Sequence, residues 1–152
     1  MKNPSANFWY LALFVGVSLL TVKPTLPAIA QPQMYRPISI SGNYEISGKL
    51  SEEDIPTGEG GFARDYYVRL EKEDQVAIDL LSEEFDPIVM LIAEDGSTIA
   101  ENDDGPDGTT NALLFARITE GGRYIVRVRS FGETGGGKFT LKITRLKPVD
   151  RR

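Results

Sequence analysis

Histidine and cysteine are both missing from the 152 residues, and each absence removes a class of chemistry. Without an imidazole there is no general base of the kind that serves catalytic triads and dyads, and without a thiol there is no cysteine nucleophile. The usual zinc and copper sites, which draw on nitrogen and sulfur donors, cannot be built from this composition. No disulfide can brace the chain, so stability must rest on an apolar core, assisted at most by a bound ion. Carboxylate, hydroxyl, amine and backbone groups remain. A pair of carboxylates can hydrolyse a glycoside, but only across a cleft of set width, and no such cleft is legible in the residues. They predict no catalytic group and no enzyme.

A long membrane-spanning run is also lacking. Lys2 is the only charge ahead of the apolar stretch from Phe8 to Val22, and Ala28-Ile29-Ala30 supplies the small residues of a cleavage site. The stretch is shorter than the roughly twenty residues that cross a bilayer, and Pro24 and Pro27 break any helix beyond it. Residues 1–30 therefore read as a Sec-type signal peptide cleaved after Ala30, giving a secreted or periplasmic protein with no stable membrane anchor after cleavage. Losing Lys2 and Lys23 takes the formal net charge from −5 to −7, a balance that speaks against nucleic acid as a partner.

Helical spacing is nowhere kept for three turns, whereas alternation with a period of two recurs throughout. Tyr44, Ile46 and Leu50 alternate with polar residues, as do Tyr66, Val68 and Leu70, then Val76, Ile78 and Leu80. Tyr124, Val126 and Val128 alternate with Ile125, Arg127 and Arg129, and Phe139, Leu141 and Ile143 alternate with Thr140, Lys142 and Thr144. Each set predicts a half-buried strand with a polar outer face. Pro87 to Ala93 and Ala112 to Ile118 are almost continuously apolar, which predicts central strands whose outer faces are also partly covered. Turn residues separate the runs, and Glu94-Asp95-Gly96-Ser97 marks a tight hairpin. About eight short strands without an intervening helix predict an all-β fold, an antiparallel, jelly-roll-like β-sandwich. A lead-in segment, 31–42, precedes a domain from 43 to 145, and 146–152 forms a flexible tail; residues 51–63 form a long loop.

Several motifs in combination resemble the bacterial pre-peptidase C-terminal domain family. They are Asp65-Tyr66-Tyr67 opening a strand, Gln75 to Leu80 after a turn, Phe85-Asp86-Pro87 entering the apolar strand, and Asp95-Gly96-Ser97 in the hairpin. Glu101-Asn102-Asp103-Asp104-Gly105, Gly122 to Val128 and Gly137 to Leu141 complete the set, so that the likeness runs from about 43 to 145. The resemblance implies a sandwich, export and an accessory role. Related collagen-binding domains of bacterial collagenases share this architecture and bind calcium.

Two candidate sites follow from the residues. Asn102, Asp103, Asp104 and Asp107, set among glycines, offer several of the six to eight oxygen ligands that calcium takes, and Glu52, Glu53 and Asp54 complete the shell if the fold brings the two loops together. Calcium is the only cofactor these residues suggest, the alternative being turn residues with no cofactor at all. The second candidate is a ligand surface formed by Tyr67, Arg69, Arg127, Arg129 and Lys142, extended by Lys138 and Arg145 if the last two strands pair. Asp86 is read as a structural side chain that locks the turn before Pro87. The leading function is a non-enzymatic accessory module that recognises a protein or polymer outside the cytoplasm as a monomer. The alternative is a regulator or partner in trans of a secreted protease.

Overall fold

The computed structural model describes residues 35–41, 44–106, 108–132 and 135–146. Residues 1–30, expected to be a signal peptide, and Asp107 lie outside these described residues, as does the expected tail 146–152 except for Leu146, which ends β10. Ten strands make up the regular structure among the described residues: β1 (Ile38–Ile40), β2 (Tyr44–Leu50), β3 (Ile55–Pro56), β4 (Phe62–Leu70), β5 (Gln75–Leu81), β6 (Pro87–Ile92), β7 (Thr98–Asn102), β8 (Ala112–Arg117), β9 (Gly122–Ser130) and β10 (Gly137–Leu146). No helix occurs among the described residues. The all-β sandwich expected from the sequence is what the chain forms, with ten strands in place of about eight. The extra two, β1 and β3, have three and two residues, too few to display an alternation. β1 lies in the lead-in and β3 in the loop between 51 and 63.

One sheet has the order β1-β4-β9-β6-β7, with β3 also paired to β4; the other has the order β2-β10-β5-β8. Every pairing is antiparallel except β1 with β4. The inner faces are the apolar phases of the alternations. Tyr66, Val68, Val89, Leu91, Val126 and Val128 from the first sheet meet Val76, Ile78, Leu80, Leu114, Leu141 and Ile143 from the second. Burying such side chains contributes about 1.5–3 kcal/mol each. Phe85 and Phe139 close one end of this core edge to face, with centroids 6.5 Å apart. Gly48 faces the Phe139 ring directly, and a Cβ there would stand 2.5 Å from the ring, so the close approach of β2 to β10 requires the glycine.

The two continuous apolar runs part ways. β6 sits inside its sheet between β9 and β7 and is buried on both faces, as expected. β8 is an edge strand instead of a central one, paired only with β5, and Phe115 stands exposed on it. A row of apolar residues records that both faces are apolar; it does not record which of them another layer covers.

Candidate functional site

The loops at one end of the sandwich gather acid. The chain leaves β5 at Leu81, turns through Ser82 to Asp86 and enters β6, while β7 ends beside it at Asn102, which is in register with Val89. Asp86 therefore lies close to Asp103 and Asp104. Burial, followed by the negative charges of Asp103 and Asp104, pushes the Asp86 carboxyl above the usual carboxylate range. No ion pair to Asp86, Asp103 or Asp104 exists among the described residues. The turn before Pro87 is locked differently from the expectation: the backbone carbonyl of Asp86, and not its carboxylate, accepts the Phe131 N–H at 2.8 Å.

Asn102 acts here as a clamp. Its Nδ2 donates to the Asp104 carbonyl at 2.6 Å and to the Leu113 carbonyl at 2.8 Å, and the Leu113 N–H donates to the Asp104 carbonyl at 3.1 Å. These bonds fasten the crossover from β7 in one sheet to β8 in the other. They leave the Asn102 amide oxygen and the two aspartate carboxylates for any ion. Among the described residues, no three His, Cys, Asp or Glu side chains form a ready metal-ligand group.

Glu52, Glu53 and Asp54 cannot complete that shell. They precede β3, which flanks β4 on the side away from β9, whereas Asn102 ends β7 at the opposite margin of the same sheet. Four strand spacings separate β3 from β7, about 19 Å. Asp54 is moreover engaged: Arg64 grips its carboxylate through Nε at 2.7 Å and Nη2 at 2.9 Å, and the Ser51 N–H donates to it at 2.9 Å.

The single basic strip is also divided. β9 and β10 lie in different sheets, so Arg127 and Arg129 face outward on one side of the sandwich, and Lys138 and Lys142 on the other. Each arginine has an acid. Arg127 binds Asp65 in a bidentate pair at 2.7 and 2.8 Å, Arg129 reaches Glu59 at 2.9 Å, and Arg145 stands 3.5 Å from Asp74. Lys138 lies 3.7 Å from Glu84, and Lys142 sits in register between Glu45 and Asp79. Such pairs keep the outer faces locally neutral instead of building one attractive field.

Tyr67 does face outward, half-buried, but its partner is not Arg69. The Arg123 guanidinium lies 4.6 Å from the Tyr67 ring centroid, in cation–π contact, while also donating to Glu94 at 2.9 Å. Arg69 pairs with Glu71 at 3.6 Å. Of the other tyrosines, Tyr66 and Tyr124 belong to the core. Tyr35 is half-exposed, and its hydroxyl donates to the Asp65 carboxylate. Burial first, and that hydrogen bond second, raise Tyr35 to about 12.

Two features escaped sequence reasoning. The cluster of Tyr35, Asp65 and Arg127 joins residues 30 and 62 positions apart, and only the register of β4 with β9 brings the ions opposite each other. A cleft of about 700 Å³ opens over β2, β10 and the end of β5, lined by Ser47, Leu81, Glu83, Asn111 and Thr140 among others; its residues are scattered in sequence and carry no common motif.

The model of the bacterial pre-peptidase C-terminal domain family matches residues 63–130, from β4 through β9. No curated protein matches the chain. Among solved structures, the pre-peptidase C-terminal domain of a collagenase from Bacillus anthracis is similar with a TM-score of 0.54 at 17% identity, over 72% of this chain and 95% of that one. PliG from Aeromonas hydrophila, a periplasmic inhibitor of g-type lysozyme, is similar with a TM-score of 0.52 at 11% identity, over 72% of this chain and 96% of the inhibitor. At these identities the likeness is one of fold. Over residues 63–130, then, the chain matches the bacterial pre-peptidase C-terminal domain family, the resemblance that the motifs around Asp65, Asp86 and Asp95 predicted.

Proposed function

We propose that this chain is a non-catalytic binding module that works outside the cytoplasm and recognises a protein or polymer there. The observation that carries the reading is the family match across β4 to β9. Its solved neighbours are a domain of a collagenase and a periplasmic lysozyme inhibitor, and neither fold relative requires the sandwich itself to perform chemistry. The second reading, regulation in trans of a separately made exported enzyme such as a protease, draws on the inhibitor, whose target, g-type lysozyme, is an enzyme.

Calcium belongs to the same proposal. The carboxylates of Asp86, Asp103 and Asp104, with the amide oxygen of Asn102, are the oxygen donors a hard cation takes, and their mutual repulsion is what a bound cation would relieve.

The test is to immobilise the purified chain and pass over it the exported proteins of the producing cell, once with calcium and once with chelator, beside a suspension of insoluble collagen. Retention on the polymer without an enzyme partner supports the first reading. Capture of a protease whose activity falls on binding supports the second. Turnover in a glycosidase and esterase screen would overturn both.

A further inference from the structure

We propose that the open edge of β8 is a docking surface for a second copy of this chain, with Phe115 of each copy seated in a hollow of the other. Phe115 is the most exposed large apolar side chain among the described residues, at 64%. A lone exposed aromatic on a loop would call for no explanation, but this one stands on an edge strand, where Lys, Pro or a bulge normally discourages pairing. The backbone of β8 is open at the same place. The N–H and C=O of Leu113 point away from β5 and are taken up by the acidic loop. By the two-residue period of a strand, the backbone groups of Phe115 and Arg117 point the same way, and among the described residues nothing bonds them.

Beside Phe115 lies a recess of about 330 Å³, lined by Gln75, Val76, Ala116, Arg117 and Leu146 in addition to Phe115 itself. A projecting ring next to a hollow is self-complementary about a two-fold axis, since each copy offers its ring to the hollow of the other. The charges agree with a like partner. Arg117 is paired with Glu73 at the rim, so both signs flank the patch and a two-fold axis can set opposite signs against each other. A patch of one sign would repel its own copy. Antiparallel pairing of β8 with β8 would join two four-stranded sheets into one of eight and leave neither edge bare. The inference stands independently of the function proposed above and replaces the monomer expected from the sequence.

Sedimentation equilibrium of the purified chain over a wide range of concentration tests it. The expected result is a reversible dimer that Phe115→Ser and Leu146→Asp each weaken about tenfold or more, while Leu81→Ser, which removes another exposed apolar side chain away from the hollow, changes the dissociation constant less than twofold. Thermal melts of each variant confirm that the sandwich is intact. A monomer at every concentration overturns the proposal. So does a dimer indifferent to both substitutions, and so does a chain that stays monomeric while Phe115 is needed to hold a different protein.

Discussion

Asp65 has 1% of its side chain exposed and Arg127 31%, and this difference sets an unequal cost for breaking their pair. Removing the guanidinium strands a carboxylate where water cannot reach it. Removing the carboxylate leaves a guanidinium that can rehydrate at its open side. Arg127→Ala is therefore expected to cost about 3 kcal/mol or more, and Asp65→Ala about 1–2 kcal/mol. Urea unfolding checks this through the midpoints, provided the two slopes stay equal. Arg127 was legible in the sequence as an outward residue of a basic strand, and so it is. Its role was not legible, because an ion pair across 62 residues depends on which strands are neighbours and in what register.

At the scale of the element, the same limit recurs. Alternation located β2, β4, β5, β9 and β10 and assigned their inner faces, since a period of two is a property of the strand itself. It could not show that β9 and β10 enter different sheets, nor that β8 ends a sheet while β6 sits inside one, because those are relations between strands. The acidic loops illustrate it again: composition marked both, and only the strand order put them at opposite margins. β1 gives a prediction of its own. This three-residue parallel strand is held at its start by the Tyr35 hydroxyl on Asp65. In the folded chain Tyr35 keeps its proton to about 12, against 10.0 for an ordinary tyrosine. The stability it adds is thus fully present below the unfolded value and is lost as pH rises through the folded one. Tyr35→Phe should abolish that alkaline loss and speed amide exchange at Ile38 to Ile40 while leaving β4 and β9 protected, as hydrogen exchange at neutral and alkaline pH will show.

For the whole molecule, the uneven placement of charge yields the test of the ion. Asp86 titrates above its unfolded value, so acid relieves the repulsion among Asp86, Asp103 and Asp104, and stability at this site declines as pH rises through the folded value. A bound cation should reverse that. Calcium at ten times its dissociation constant adds about 1.4 kcal/mol, enough to raise the melting midpoint by several degrees. In Asp103→Asn, Asp104→Asn the increment should vanish, and the chain without calcium should melt no lower than the parent. An unchanged midpoint in the parent with calcium and with chelator would mark these residues as turn formers. The order of the strands has a further consequence, for the time at which the fold can exist. β9 lies between β4 and β6, and β10 between β2 and β5, so the two strands that follow all the others described are the inner members that join the earlier strands of each sheet. Until they emerge, only the partial pairings of β1 and β3 with β4, β6 with β7 and β5 with β8 are open to the earlier strands, and nothing joins β4 to β6 or β2 to β5. Contacts this distant in sequence are slow to form, and a chain caught part-way through synthesis holds isolated strand pairs but neither finished sheet.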